Sequence, residues 1–238
     1  MILMGFLTMG DKTRDIGNKS ACFREVLGFL PFCHKAVTMT GLTAIDARQL
    51  AEAGKFGRET FITNYDTMLP SWNKGISVQS EFKRKWNDVM KGILDSDSRN
   101  RRILFKDIFK SSLVEDAGHG NELVLADACC PYRMEIAKWM GSGNTLDAMV
   151  KDGIIGVNTN LMRSSIDGDS SPFNHGVKFL MKGCYSNDEE KYGMLRKMHI
   201  IAHDIEQSAG GLLTTVAMLN YWDDPRSKMA YIFFRKTR

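Results

Sequence analysis

Gly118-His119-Gly120-Asn121-Glu122-Leu123-Val124-Leu125-Ala126-Asp127-Ala128-Cys129-Cys130-Pro131 is the stretch whose reading decides the fold. Four apolar residues, Leu123 to Ala126, stand between a glycine-flanked turn and a polar end closed by proline. A short apolar run with such boundaries is the pattern of a strand buried on both faces of a parallel sheet. His119 then precedes the strand and Asp127 ends it. Ligands of open α/β sheets bind beyond the carboxyl ends of strands, which puts Asp127 where chemistry is expected. Gly118 and Gly120 carry no Cβ, so backbone or ligand can come close to His119.

On the N-terminal side, Ile103, Leu104, Ile108, Phe109 and Leu113 predict an amphipathic helix over 102–114 that feeds this strand. On the C-terminal side, Thr145 to Lys151 reads as a short helix ended by Gly153, and Ile154 to Val157 as a strand. Ser186-Asn187-Asp188-Glu189 has the form of a capping box, opening a helix that runs through Met198 and Ile205 to about Gly210. Leu212 to Leu219 is a further apolar segment. Asp223-Asp224-Pro225 breaks the chain, and Met229 to Phe234 is a final strand. This alternation predicts an α/β layer fold with a parallel sheet over residues 101–238.

Residues 1–100 read as a separate, mostly helical region. Ser20 is placed to cap a helix through Cys22 to Leu30, broken at Pro31, and Thr43 to cap another over 44–53. Val78, Phe82, Trp86, Met90 and Ile93 form one apolar helical stripe. The order of cues over 28–94 roughly repeats the order of cues after Asp127. A degenerate first copy of the same domain is therefore the alternative reading of this region.

With 43% hydrophobic and 25% charged residues, the 238-residue chain has the composition of a globular protein. Its apolar runs are far shorter than the ~18 residues that span a bilayer, so no membrane partner is expected. Five cysteines with no CxxC spacing suit reduced thiols and a cytoplasmic setting. Residues 81–110 hold nine Lys or Arg, Lys83, Arg84 and Lys85 among them, against five acids. A solvated helix face is the plainer reading, and a phosphate- or nucleic-acid-binding face the alternative. Asp95-Ser96-Asp97-Ser98 begins like a calcium loop, but Asn100 and Lys106 stand where Gly and Glu are required.

The stretch from Gly118 to Pro131 resembles the signature of the fucose mutarotase and D-ribose pyranase family: Gly-His-Gly, an apolar strand, Asp-Ala and a proline four residues past the Asp. Arg133 to Ile136, Gly141, Leu146 to Lys151 and the segment Tyr221 to Phe234 continue the likeness. The resemblance implies a parallel-sheet fold of the ribose pyranase/fucose mutarotase type. It implies a mutarotase, an isomerase interconverting the forms of a free monosaccharide, L-fucose first and D-ribose second. It gives His119 the catalytic acid–base role and Asp127 the substrate-binding role, with no cofactor and no metal, in a homo-oligomer. His is suited to such work near neutral pH. The family's Tyr-x-Asn segment, expected after the last strand, has no counterpart here. Leu219 or Asn220 stands where an arginine is expected, and Ala137-Lys138-Trp139 replaces a basic–acidic pair. An inactive family member that binds sugar or serves as an assembly subunit is therefore the alternative function. His199 and His203 have the i, i+4 spacing of a zinc pair but no third ligand. Gly141-Ser142-Gly143-Asn144-Thr145 is read as a helix cap rather than a phosphate loop. The sugar reading requires His119 and Asp127 to face one small polar cavity.

Overall fold

The computed structural model describes residues 7–8, 12–13, 17–41, 44–66, 76–95, 97–161, 178–181, 188–224 and 227–238. A two-residue antiparallel ladder, β1 (Leu7–Thr8) with β2 (Lys12–Thr13), precedes helix α1 (Gly17–Arg24). Then come β3 (Cys33–Thr38), α2 (Ile45–Glu52), β4 (Phe56–Tyr65), α3 (Ile76–Leu94) and β5 (Arg101–Leu104). The second half runs α4 (Leu113–Ala117), β6 (Asn121–Pro131), α5 (Met134–Met140), α6 (Gly143–Leu146) and β7 (Met149–Asn160). It closes with β8 (Lys178–Met181), α7 (Asp188–Ser208), β9 (Leu213–Asp224) and β10 (Ser227–Lys236).

One sheet of eight strands has the order β5-β4-β3-β6-β7-β10-β9-β8. Strands β3 to β7 pair in parallel, β8 pairs in parallel with β9, and β10 is antiparallel to both its neighbours. The chain steps outward from β3 through β4 to β5, then returns to lay β6 on the other side of β3. That reversal makes the β3–β6 seam a topological switch point. The boundary expected near residue 100 falls between α3 and β5, and strands from both sides of it share this sheet.

Two buried clusters flank the sheet, as side-chain alternation requires. In β6, Leu123 and Leu125 pack with α1 and with Ala47, Leu50, Phe82 and Trp86 of α2 and α3. Val124 and Ala126 pack the opposite way, with Ile136 of α5 and Met198 and Ile205 of α7. The expected stripe of α3 meets the first cluster through Phe82, Trp86 and Met90, all buried, with Leu94 completing it. The 19-residue helix owes its place to that stripe rather than to the charges on its outer face.

Several expectations are corrected. The N-terminal region is not only helical, since it contributes two strands, β3 and β4, to the sheet. The helix expected over 102–114 is instead β5, a single turn at Ile108–Lys110, and α4 capped by the Ser112 side chain. Arg101 to Leu104 find backbone partners along β4, which a helix would leave unmet at the sheet edge. The helix expected at 145–151 ends at Leu146, and Met149 already starts β7, with Gly153 inside the strand. The capping box at 186–189 begins outside the described residues. Among the described residues, no helix is long and apolar enough to cross a membrane.

Candidate functional site

Alternation along the strands builds the site. On the α1–α3 face, each central strand is apolar in its body and polar at its carboxyl end. Ala36 is followed by Thr38 in β3, Ile62 by Asn64 in β4, Leu125 by Asp127 in β6, and Leu219 by Tyr221 in β9. In β7 the same row includes Asn158, the cross-strand partner of Asp127. A polar rim therefore lies along one edge, next to the switch point.

Two networks divide that rim. At β3–β4, Asn64 Oδ1 accepts from Thr40 N at 2.7 Å and from the Thr38 and Thr40 hydroxyls, and Asn64 Nδ2 donates to Thr40 O. Asn64 and Thr38 are fully buried, so this satisfied network pins the turn that leaves β3. Gly41 follows, where an added Cβ would meet nothing within 4 Å among the described residues. The turn closes at Ala44, held at φ 46° and ψ 39°, a left-handed conformation that non-glycine residues rarely adopt.

The second network is charged. Lys19 of α1 donates to Asp46 Oδ2 of α2 at 3.0 Å and to Asp127 Oδ2. Asn158 Nδ2 donates to Asp127 Oδ1 and to the Tyr221 hydroxyl, both at 2.6 Å. The carboxylate can only accept, so the amide must present its nitrogen here. Asp46 is 3% exposed and Lys19 11%. Burial pushes the Asp46 carboxyl above its ordinary range, with the Asp127 charge adding to the rise and Lys19 opposing it. Two buried acceptors, Asp46 Oδ1 and Asn158 Oδ1, have no hydrogen-bond partner among the described residues.

His119 is elsewhere. It lies in the turn before β6, exposed, with Nδ1 2.8 Å from the Asp147 carbonyl oxygen. Asp127 comes further along the strand, after roughly 26 Å of extended chain at ~3.3 Å per residue. His119 precedes β6, and Asp127 lies within it, toward its carboxyl end. His199 is buried, which lowers its pKa, and no group of three metal-ligating side chains occurs among the described residues. The Ser142 side chain caps α6, accepting from Thr145 N. Lys19, Asp46, Asn158 and Tyr221 were not singled out from sequence. Asn158 carried a signal, a polar residue ending an apolar run as Asp127 does. Lys19, 108 positions from Asp127, carried none.

No protein-family model matches the chain, and no curated protein matches it in sequence. The strand order, with a single antiparallel strand in an otherwise parallel seven-strand set from β5 to β9, is consistent with a Rossmann-like methyltransferase fold. Solved structures agree. The N-methyltransferase NodS of Bradyrhizobium japonicum WM9 superimposes with a TM-score of 0.50 at 9% identity, covering 92% of this chain and 95% of NodS. The fibrillarin pre-rRNA processing protein of Methanococcus jannaschii gives 0.52 at 10%, covering 98% and 82%. A presumptive O-methyltransferase of Klebsiella pneumoniae gives 0.52 at 11%, covering 98% and 84%.

These findings overturn the mutarotase reading. The fold is not of the ribose pyranase/fucose mutarotase type, and the isomerase activity, its inactive-member and phosphate- or nucleic-acid-binding alternatives, and the free-monosaccharide partner go with it. The likeness at Gly118–Pro131 has a general cause. A doubly buried apolar strand with polar residues at its carboxyl end is common to parallel α/β sheets of many families.

Proposed function

We propose that the chain is a methyltransferase domain that binds S-adenosylmethionine at the carboxyl edge of the sheet, across the β3–β6 switch point. The observation that carries this reading is the buried Lys19–Asp46–Asp127–Asn158 cluster at that seam, in a fold shared with methyltransferases. When bound, S-adenosylmethionine supplies a methyl group activated on a sulfonium, which a nucleophile takes with the C–S electron pair returning to sulfur.

The residues present fit such a group. Two buried acceptors of the cluster, Asp46 Oδ1 and Asn158 Oδ1, have no hydrogen-bond partner among the described residues, so the cluster favours a further N–H donor. Asp127 and Asp46 supply the charge complement, and Asn158, tied to Tyr221, fixes the Asp127 carboxylate. At Gly41 no described residue stands within 4 Å of an added Cβ, which suits the close backbone approach of a nucleotide-binding turn. Asp66 stands just past the carboxyl end of β4, 25 positions after Gly41, where an acid hydrogen-bonds ribose hydroxyls in dinucleotide folds.

Calorimetric titration with S-adenosylmethionine and with S-adenosylhomocysteine tests the reading. Asp127→Ala should weaken binding by about 10- to 100-fold, the range for one charged hydrogen bond. His119→Ala, in the turn before β6, should leave it unchanged. A wild-type protein that binds neither compound contradicts the proposal.

A further inference from the structure

Asn158 has no exposed surface, and every hydrogen bond of its amide can be counted. Its Nδ2 donates to Asp127 Oδ1 and to the Tyr221 hydroxyl, both at 2.6 Å, so both amide protons are spent. Its Oδ1 has no hydrogen-bond partner among the described residues. Turning the amide over would let Oδ1 accept the Tyr221 O–H instead. It would also set that oxygen against Asp127 Oδ1, acceptor against acceptor. The observed orientation therefore leaves one buried acceptor unmet, which is unfavourable. The two bonds from Nδ2 outweigh that cost, and Tyr221 receives one of them.

Tyr221 does this from two strands away. Tyr231 of β10 pairs with Asn158 of β7 on one side and with Leu219 of β9 on the other. Tyr221 stands two residues beyond Leu219 and is fully buried, so its phenol reaches back across β10 to the β7 side chain. A packed ring on a strand paired along both edges, to β10 and to β8, is a rigid support.

We propose that Tyr221 is a positioning residue for Asp127: its hydroxyl accepts one Asn158 proton, keeps the amide nitrogen toward the carboxylate, and so fixes Asp127 Oδ1 for a ligand. The chain of hydrogen bonds stands without the methyltransferase reading; only the ligand used to measure affinity rests on it.

Side-chain amide NMR of 15N-labelled protein reads the chain directly. In wild type both Asn158 amide protons should resonate downfield of solvated asparagine amides and exchange slowly. Tyr221→Phe should return one of them toward the solvated position and leave the other. Wild-type Asn158 protons at solvated positions overturn the proposal, whether or not the variant folds. Calorimetric titration reads the consequence. Tyr221→Phe should bind S-adenosylmethionine about 5-fold more weakly than wild type, the scale of one neutral hydrogen bond. In an Asp127→Ala background the same change should cost nothing further, because Tyr221 acts through that carboxylate. Unchanged affinity, or an equal loss in both backgrounds, overturns the proposal. If wild type binds no S-adenosylmethionine, the methyltransferase reading falls, and the amide resonances decide the positioning on their own.

Discussion

Asp46 carries the sharpest consequence at the scale of single residues. Its folded-state pKa is raised, chiefly by burial, so the folded protein prefers the protonated acid. Below the ordinary carboxylate pKa of about 3.9 both states hold the proton and the stabilisation is complete. As pH rises past that value the unfolded chain ionises first, and stability is lost until the folded pKa is passed. Asp46→Asn removes this dependence. Urea midpoints of wild type and Asp46→Asn between pH 4 and pH 7 should therefore diverge, with wild type losing ground as pH rises; a constant difference contradicts the account. Gly156 makes a steric prediction. A Cβ there would lie 2.8 Å from the Phe233 ring, which is itself packed between Tyr231, Phe23 and Phe29 and cannot yield. Gly156→Ala should cost about 1–3 kcal/mol by overpacking, read from denaturant unfolding. Asp127 was legible as the acid that closes the apolar run of the strand, because alternation is a local fact. The strand was read as four apolar residues, yet the ladder runs over eleven, because Asn121, Glu122 and the residues beyond Asp127 extend it through backbone bonds that need no apolar side chain.

Among elements, α3 and α5 show what holds each face to the sheet. Trp86 has no exposed surface, and its indole N–H reaches the Thr40 hydroxyl at 3.4 Å. Trp86→Ala should cost about 3–5 kcal/mol and loosen the turn leaving β3, so ligand affinity should fall with stability. A change in stability with affinity intact would show that this turn does not shape the site. On the opposite face, α5 ends where a Cβ on Gly141 would come within 2.4 Å of the Ser208 carbonyl of α7. Gly141→Ala must push those helices apart, and its melting temperature should fall while the cluster at Lys19 keeps its ligand affinity. The stripe of α3 was readable because a spacing of three and four is unambiguous over nineteen residues. Strand β5 was not. Four residues carrying two arginines have no period of their own, and they become a strand only because β4 offers an unpaired edge.

For the whole molecule, sheet order is the decisive property, and it is the one that local pattern cannot supply. Strand β6 lies between β3 and β7, so a fragment of residues 101–238 would expose the paired edge of its central strand and lose the helices α1 to α3 that cover one face. That fragment should be unfolded or aggregated by circular dichroism and light scattering, whereas a cooperative melt of the isolated fragment would show two independent domains. The echo between residues 28–94 and the second half has a plain cause in this topology, since both halves are runs of strand, helix and strand feeding one sheet. Placement of the polar rim comes from the same order, because the chain reverses direction of growth at β3 and β6. Backbone amide NMR during titration with S-adenosylmethionine tests that placement most directly. Shifts concentrated at Gly41, Asp66, Asp127 and Asn158, with His119 and Glu122 unmoved, are the predicted result; shifts at the His119 edge, or none at saturating ligand, would contradict it.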